Sequence, residues 1–421
     1  MYQIDFNHPS SIYFVGIGGI SMSGLAEILK DAGFRVSGSD RSKSPLTETL
    51  ERKGINVFYG QRAGNITDDI DCVVFTSAIH KDNPEYVATM EKGIPHLTRA
   101  QLLGEIMQNY KTPIAISGTH GKTTTTSMVS EILLHAGTDP TLSIGGMLKS
   151  IGGNIRVGST DLFVTEACEY TNSFLSFFPR IGMILNIEED HLDFFKDLED
   201  IRNSFHRFAK LLPKDGTLVI NGDIDRLDEI TGDLDCKLVT YGTNPSATYH
   251  AANVTHDELG EASFDLVKNG EFVDRISLSV SGDHNVSNAL AALAVADLLD
   301  VNVSVAKKGL KEFHGTDRRF EYKGETNGVT IIDDYAHHPT EIAATLTAAR
   351  NYPHGRIICV FQPHTYTRTK AFWNQFSDAL TLADVVVLAD VYAARETDTL
   401  GIHCEDLADD IRRKGTESYY F

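Results

Sequence analysis

The segment from Thr112 to Gly137 places an apolar strand, a glycine turn and an apolar helix in direct succession. The strand TPIAIS leads into GTHGKTTTT at 118–126, and the helix-like run SMVSEILLHAG follows. A strand that passes through a tight turn into a helix opens a βαβ unit, and such units are completed by a parallel sheet. The turn differs from the common phosphate loop G-x-x-x-x-G-K-[ST], because Ile116 stands where that pattern has its first glycine.

This turn is a candidate phosphate-binding site. Free backbone N–H groups and the positive end of the dipole at a helix start attract an anion. Lys122 would reach the outer phosphates, and Thr123 would offer its hydroxyl to Mg²⁺. The alternative is a glycine turn whose threonines only cap the helix, but Lys-Thr-Thr directly behind the second glycine favours a nucleotide. We therefore predict ATP and Mg²⁺ as ligands, with ATP held by Gly118, Thr119, His120, Gly121, Lys122, Thr123 and Thr124.

A second βαβ unit opens the chain. The strand SIYFV at 11–15 is followed by GIGGISMSG, a helix-like run and the strand FRVSGSD, which ends at Asp40. Gly16 and Gly18 match the start of G-x-G-x-x-G, but Ser21 occupies the sixth position. Asp40 lies about where such folds place an acid for a ribose hydroxyl. An NAD(P)-dependent oxidoreductase is therefore one alternative, although the incomplete fingerprint and the second phosphate loop argue against it.

Strand and helix patterns alternate again from about His314 to the end of the chain, which predicts a mostly parallel sheet. Between about 244 and 280 the sequence is largely polar, and polar and apolar residues alternate. Asn269-Gly270 predicts a hairpin there. We predict an α/β protein of three domains. These are a Rossmann-like domain at 1–108, a P-loop-like ATPase domain with a mixed sheet at 109–313, and a Rossmann-like domain at 314–421.

Composition narrows the function classes. The formal net charge of −20 disfavours non-specific binding to nucleic acid or to anionic membranes. The five cysteines form no C-x-x-C pair, which disfavours a disulfide framework or a zinc site. The polar start and the lack of a long apolar run predict no secretory signal and no membrane insertion, so we expect a cytoplasmic protein. The sequence leaves a monomer and a dimer both open.

Polar residues gather where predicted strands end. Glu166 ends one strand, and NIEEDHLDFF at 186–195 follows the next; we expect most of its acids to be solvated, while His191 is either a site residue or structural. In the last third, IIDDYAHHP and VFQPHTYTRT end consecutive strands, so their side chains are expected to face one crevice. Arg318 and Arg319 are either phosphate ligands across a cleft or a solvated basic pair.

Taken together, these segments resemble the Mur ligase family, the ATP-dependent amide-forming enzymes of peptidoglycan precursor synthesis. The resemblance spans essentially the whole chain and rests on eight segments in order: GIGGISMSGLA, GTHGKTTTT, EACEYTNSF, NIEEDHLD, HNVSNALAA, DRRFE, DDYAHHPTEI and FQPHTYTRT. It implies that ATP phosphorylates the lactyl carboxylate of UDP-N-acetylmuramate and that the amine of L-alanine then attacks the acyl phosphate. Splitting one difficult step into two easier ones is the purpose of such an intermediate.

The resemblance also implies a role for each matching residue. Lys122, His191 and Arg318 would be catalytic, and Thr123, Glu166 and His191 would hold metal. Asn288, Arg318 and Asp334 would complete the ATP site, and Tyr335, His337 and Arg368 would form the amino-acid pocket. The UDP-sugar would be held by Gly16, Gly18, Gly19, Ile20, Ser21, Asp40, Ser77, Ala78 and Ile79.

Three features depart from the family pattern. Many members have Arg where Thr365 stands, and IRNSFHRF at 201–208 has no lysine, so we expect no carbamate. Members normally continue for a few elements beyond the last strand here, so the C-terminal domain is expected to be shortened. The alternatives within the superfamily are a ligase that joins a tripeptide to the same nucleotide sugar and a folylpolyglutamate-type ligase. A nucleotide-regulated binding protein without catalysis is a further class.

Overall fold

The computed structural model describes residues 2–394 and 396–421. Its strands form one five-stranded sheet, one ten-stranded sheet and two small sheets of two and three strands. The sheets follow one another along the chain without exchanging strands. The predicted α/β class is confirmed, with a mixed sheet at the centre and parallel sheets on either side.

The N-terminal sheet is parallel throughout, in the order β3-β2-β1-β4-β5. All five residues of its central strand are buried, as expected for an apolar strand covered on both faces. The strands are β1 Ser11–Val15, β2 Arg35–Asp40, β3 Asn56–Tyr59, β4 Cys72–Phe75 and β5 His96–Thr98, and the helices are α1 Ile20–Asp31, α2 Pro45–Arg52, α3 Pro84–Lys92 and α4 Arg99–Met107, with a 3₁₀ turn at Ala63–Asn65.

The central sheet has the order β15-β14-β13-β12-β11-β10-β6-β9-β7-β8. Its strands β13, β14 and β15 pair antiparallel, which confirms the predicted hairpin at Asn269-Gly270. The strands are β6 Thr112–Ser117, β7 Thr141–Leu148, β8 Gly153–Arg156, β9 Leu162–Glu166, β10 Ile181–Ile184, β11 Thr217–Asn221, β12 Lys237–Gly242, β13 Tyr249–His256, β14 Glu261–Lys268 and β15 Glu271–Ser281.

The helices of this central part are α5 Lys122–His135, α6 Leu198–Ala209, α7 Leu227–Thr231, α8 Asp283–Leu298 and α9 Val303–Glu312, with 3₁₀ turns at Lys149–Ile151 and Tyr170–Ser176. Helix α8 is rich in alanine and leucine and is buried over most of its length. A helix that is apolar on all sides belongs inside a core, and α8 packs against both α5 and the sheet.

The C-terminal part contains two separate sheets. Strands β18 Ile358–Phe361, β19 Val385–Leu388 and β20 Glu417–Tyr420 are parallel, as predicted. The predicted strand in VTIIDDY lies elsewhere: β17 Val329–Asp333 pairs antiparallel with β16 Glu321–Thr326. The two-residue connection Asn327-Gly328 makes β16 the nearer partner, because Asn-Gly is typical of a tight hairpin turn. The helices are α10 Pro339–Asn351, α11 Tyr366–Ala371, α12 Trp373–Leu380 and α13 Cys404–Arg413.

Helix α4 docks the N-terminal part onto the central part through a glycine. A Cβ atom added at Gly104 would overlap the carbonyl of Ser176, lying 2.9 Å from its carbonyl carbon. The backbone of the 3₁₀ turn therefore rests directly on the helix, and a close approach of this kind leaves no room for a side chain.

We expect Gly104→Ala to lower the free energy of unfolding by about 1–3 kcal/mol, because the added methyl overpacks this contact. The change removes a helical glycine, which by itself would be stabilising by roughly 1 kcal/mol. Urea unfolding followed by circular dichroism measures the shift, and Gly64→Ala, where nothing lies within 4 Å of the added atom, is the control. A Gly104→Ala protein as stable as the control would contradict the close contact.

Candidate active site

The glycine turn joins β6 to α5, as the sequence predicts. Gly118 and Gly121 have φ values of +146° and +82°, a region that favours glycine. Helix α5 begins at Lys122 without a side-chain cap, so its first N–H groups remain available to an anion. Asn186 fixes the turn from outside, since its side-chain oxygen accepts a hydrogen bond of 2.8 Å from the backbone N–H of His120.

Lys122 is held by a buried carboxylate that sequence reasoning missed. Its Nζ donates to Glu169 Oε2 at 3.0 Å and to the carbonyl of Thr119 at 3.0 Å. Burial alone would lower the pKa of Lys122, but the charge of Glu169 outweighs it and raises the pKa. The ammonium is therefore charged and poised at the turn. Nothing in EACEY distinguishes Glu169 from a surface acid, so only the fold reveals it.

Thr123 and Glu166 lie together at the carboxyl end of the central strands. Glu166 pairs in register with Ile116, and a carboxylate oxygen accepts a hydrogen bond of 2.6 Å from Gly145 N–H. Burial raises the pKa of Glu166 despite the hydrogen bonds from Gly145 and Thr123. A carboxylate and a hydroxyl are the hard oxygen ligands that Mg²⁺ prefers, so these residues fit the ion. A nearby cation would also offset the burial of this charge.

His191 lies beside the same centre. Its backbone has a φ of +52°, and its ring stacks on Tyr170 with centroids 4.5 Å apart. His191 Nε2 is 3.8 Å from Glu169 Oε1 and 3.7 Å from Asp190 Oδ2. Burial is the main cause that lowers the pKa of His191, so the neutral form that can bind a metal is favoured.

A second group of possible metal ligands lies across the boundary between the central and C-terminal parts. Ligand atoms of His120, Glu188 and His338 all lie within 4.8 Å of one another. However, His338 Nδ1 accepts the N–H of Thr340 at 3.3 Å, so the proton of the neutral ring sits on Nε2. A protonated nitrogen cannot bind a metal, and we therefore assign no metal to this group.

Part of the predicted ATP set borders a cleft of about 410 Å³ between the central and C-terminal parts, whereas Gly118, Thr119, Lys122 and Thr123 lie outside its lining. His120, Gly121, Thr124, Asn288 and Asp334 line it, together with Arg319 rather than Arg318. The Asp334 carboxylate accepts the N–H groups of Phe320 and Ala336, both at 2.7 Å, which fixes its position.

Arg318 lies outside that lining. Its side chain is 58% exposed, and its guanidinium carbon is 4.6 Å from the centre of the Tyr335 ring. The backbone of Arg318 has a φ of +61°. Arg319 also approaches the Tyr335 ring, with its guanidinium carbon 5.6 Å from the ring centre. Sequence spacing could not distinguish them, and Arg319 is the one that faces the nucleotide-sized cleft.

A smaller pocket of about 210 Å³ holds the predicted amino-acid ligand Arg368. Nε and Nη2 of Arg368 donate to Asp190 Oδ1 at 3.0 and 2.8 Å, and Nη1 lies 3.0 Å from His364 Nδ1. Asp190, which is 5% exposed, is an exception to the expectation that most acids of NIEEDHLDFF are solvated. Burial alone would raise the pKa of Asp190, but His191 and Arg368 hold it well below its usual range.

Tyr335 and His337 are neighbours of this pocket. Their rings lie 5.3 Å apart, and His337 is 6.0 Å from the ring of His364. The ends of β17 and β18 therefore meet as predicted, although the two strands belong to different sheets.

The candidate UDP-sugar residues surround the turn between β1 and α1. Gly18 N–H donates to Asp40 Oδ2 at 2.8 Å, so part of the Asp40 carboxylate holds the turn itself. Gly16 has a φ of +84°, and a Cβ atom there would lie 2.7 Å from the Thr76 methyl. Gly19 and the partly exposed start of α1 border the turn, and the adjacent β4 brings Thr76 and the segment Ser77–Ala78–Ile79 beside it. Ile20 and Ser21 are both exposed.

Comparison with known proteins identifies the family. Three family models match in order: "Mur ligase family, catalytic domain" at residues 11–111, "Mur ligase middle domain" at 116–296 and "Mur ligase, glutamate ligase domain" at 318–421. A UDP-N-acetylmuramate--L-alanine ligase of Agathobacter rectalis is 58% identical over 100% of this chain and 92% of that protein. The chain belongs to the Mur ligase family. The ligase of the same name from Lachnospira eligens is 60% identical over the same shares of each chain.

Solved structures agree with this assignment. The UDP-N-acetylmuramate-alanine ligase of Thermotoga maritima has a TM-score of 0.79 at 32% identity, covering 98% of this Mur ligase and 90% of that chain. A murein peptide ligase of Psychrobacter arcticus has a TM-score of 0.73 at 26% identity, with the same coverage. In the described residues of this Mur ligase, every helix is too short or too polar to span a bilayer.

We expect Asp190→Ala to destabilise this Mur ligase by about 3–5 kcal/mol, because it leaves the Arg368 charge buried without its partner. Urea unfolding measures the effect. The control is Asp215→Ala, which breaks an ion pair with Arg180 whose side chains are 66% and 44% exposed. An exposed pair contributes about 0–1 kcal/mol. Equal shifts in the two variants would show that the Asp190–Arg368 pair stabilises no more than a surface pair.

Proposed function

We propose that this Mur ligase joins L-alanine to the lactyl carboxylate of UDP-N-acetylmuramate with hydrolysis of ATP to ADP and phosphate. The relatives that carry this activity in their names match the whole chain at 58% and 60% identity. One observation carries the proposal. Glu169 contacts both Lys122 at 3.0 Å and His191 at 3.8 Å, and His191 lines the pocket of Arg368. A phosphoryl donor and an amino-acid acceptor would therefore meet at one point.

In this proposal, phosphoryl transfer takes place at the glycine turn. The lactyl carboxylate oxygen attacks the γ-phosphorus, the bond to the β-phosphate bridging oxygen breaks, and ADP leaves. Lys122 would move from Glu169 to the phosphates, while the first N–H groups of α5 hold the spreading negative charge. Mg²⁺, held by Thr123 and Glu166 with His191 beside them, would supply further charge stabilisation when bound. Asn288, Arg319 and Asp334 would hold the rest of ATP in the cleft.

Amide formation takes place beside the pocket of Arg368 in this proposal. The amine of L-alanine attacks the acyl carbon, the tetrahedral intermediate collapses, and inorganic phosphate leaves. A guanidinium has five N–H donors, and Asp190 and His364 engage three of those of Arg368. One N–H on each terminal nitrogen remains for the alanine carboxylate, a pairing that favours planar carboxylates. Asp190 thus positions the arginine, with Tyr335 and His337 at the rim of the pocket.

The UDP-sugar would lie on the N-terminal part. The start of α1 has no side-chain cap, so its N–H groups can receive the diphosphate, as at the other phosphate turn. Gly16, Gly18, Gly19, Ile20 and Ser21 supply this cradle in our proposal, with Asp40 beneath it and Ser77, Ala78 and Ile79 near the uridine.

The tripeptide-joining ligase is the competing function within the family, since a murein peptide ligase shares the fold over 98% of the chain. The two functions differ in the acceptor. We expect phosphate release from ATP and UDP-N-acetylmuramate to require L-alanine, and the tripeptide L-alanyl-γ-D-glutamyl-meso-diaminopimelate to give no more than background. The opposite preference would replace the proposed function by the competing one.

We expect Lys122→Ala to reduce the rate of phosphate release in the presence of both substrates by at least about a hundredfold, because it removes a positive charge that stabilises the transition state. Lys214→Ala, at a lysine whose side chain is 81% exposed, is the control and should leave the rate unchanged. Near-normal turnover of the Lys122→Ala protein would mean that the turn is only structural.

We expect Glu166→Ala either to raise the Mg²⁺ concentration needed for half-maximal activity or to abolish activity, because a proposed metal ligand is lost. The matched control is Glu189→Ala, an exposed acid in the neighbouring loop. An unchanged Mg²⁺ titration in the Glu166→Ala protein would remove Glu166 from the metal site.

A further inference from the structure

One carboxylate connects the phosphate turn to the loop before α10. Glu341 Oε2 accepts the backbone N–H groups of His337 and His338 at 3.0 and 3.3 Å. Its other oxygen, Oε1, lies 3.2 Å from His120 Nδ1 in the phosphate turn. The Glu341 side chain is 14% exposed and that of His120 is 13% exposed, so this contact is largely shielded from water.

Only half of this arrangement is needed to build the helix. His338 is the N-cap of α10, and Glu341 at the third helical position completes a capping box with the backbone of the cap. A glutamine serves in a capping box as well as a glutamate does. The cap therefore does not account for the second oxygen, which faces a histidine 221 residues away in the chain.

His120 is surrounded by charge from both sides of the boundary. Glu341 faces its Nδ1, Glu188 Oε2 lies 3.5 Å from its Nε2, and the ring of His338 lies 4.8 Å away between centroids. Burial alone would lower the pKa of His120, but the nearby carboxylates of Glu188 and Glu341 raise it to about 9. Burial and the charge of His120 lower the pKa of His338 to about 4 despite the nearby acids, so His338 is neutral. His120 and Glu341 thus form an ion pair at neutral pH.

The two ends of this ion pair belong to different proposed subsites. His120 lies two residues before Lys122 in the ATP turn. Glu341 fixes the backbone of His337, whose Nδ1 also lies 3.3 Å from Glu341 Oε2, in the proposed amino-acid pocket. Any shift of His120 on nucleotide binding acts on Glu341, and through it on His337.

We propose that Glu341 is a positioning residue that couples the phosphate turn to the amino-acid pocket, so that ATP in the turn orders the pocket for L-alanine. This inference rests on the proposed function and adds a residue to it. Glu341 acts through His120 and His337 and makes no bond to a reacting atom.

The test is a double-mutant cycle read out as kcat/KM for L-alanine at saturating ATP and UDP-N-acetylmuramate. The variants are His120→Gln, Glu341→Gln and the double variant. Glu341→Gln keeps the oxygen that caps α10 and removes the charge. We expect each single change to lower kcat/KM for L-alanine, and the double change to lower it little further, with a departure from additivity of at least about fivefold. Glu325→Gln, at an exposed residue of β16, is the control and should match wild type.

If the loss of kcat/KM in the double variant equals the product of the two single losses within about 1.5-fold, the two residues act independently. That result would overturn the coupling. A purely structural role of Glu341 in capping also predicts multiplication. If the Glu341→Gln protein does not fold, His120→Gln alone decides: an unchanged KM for L-alanine at saturating ATP overturns the proposal, and a raised KM supports it. A wild-type protein without ligase activity would instead contradict the proposed function, so the two failures are distinguishable.

The pH profile supplies a second readout. In the wild-type protein the ion pair is intact below the raised pKa of His120 and is lost as the pH rises through about 9. Removing the Glu341 charge withdraws one of the two acids that raise this pKa. We therefore expect the alkaline limb of kcat/KM for ATP to move to lower pH by roughly one unit in Glu341→Gln. An alkaline limb at the same pH in both proteins would show that Glu341 does not change the pKa of His120 during turnover.

Discussion

The parallel pairing of β6 with β9 on one side and with β10 on the other fixes where the candidate catalytic groups of the central part lie. Ile116 stands level with Glu166, and Ser117 stands level with Ile184, so the three strands end together. The phosphate turn, the acids after β9 and the loop of His191 consequently leave the sheet at one edge. Because the carboxyl ends of parallel strands share an edge, a single register determines the distance between nucleotide and acceptor. A slip of one residue would turn Glu166 to the opposite face.

A chain with a net charge of −20 has to bind two anionic nucleotides and the carboxylate of an amino acid in the proposed reaction. The candidate ligands are a few cations that are each held by a carboxylate. Lys122 rests on Glu169, Arg368 on Asp190, and His120 on Glu341. A buried cation without a partner would be strongly destabilising, so these acids keep the cations charged and in place until a substrate arrives. The substrate anion then shares or replaces the protein carboxylate. The acidic partners are thus part of the binding site although they repel the ligands themselves.

Local patterns carried much of the sequence-based interpretation. The strand–turn–helix around Lys122, the hairpin at Asn269-Gly270 and the α/β class depend on neighbours in the chain, and all three are confirmed. The partners of the buried charges are separated by 47 to 221 residues, and no spacing rule connects them. Asp190 therefore resembled a solvated acid, and Glu169 was not distinguished at all. The pairing of β17 was mispredicted because the nearer hairpin partner, β16, competes with the parallel sheet.

The loops around the two pockets also contain non-glycine residues with positive φ, which the sequence pattern does not predict. His191, Arg318 and Thr365 have φ values of +52°, +61° and +66°, where non-glycine residues are uncommon and a β-branched side chain such as that of Thr365 is strained. Strain of about 1–3 kcal/mol per residue persists only where the surroundings over-determine the conformation. Here the Asp190–Arg368 pair joins the residue before His191 to the helix that starts after Thr365. One buried ion pair therefore holds two strained loops against each other. It orients His191 toward Glu169, and it leaves the terminal nitrogens of Arg368 facing the proposed amino-acid pocket.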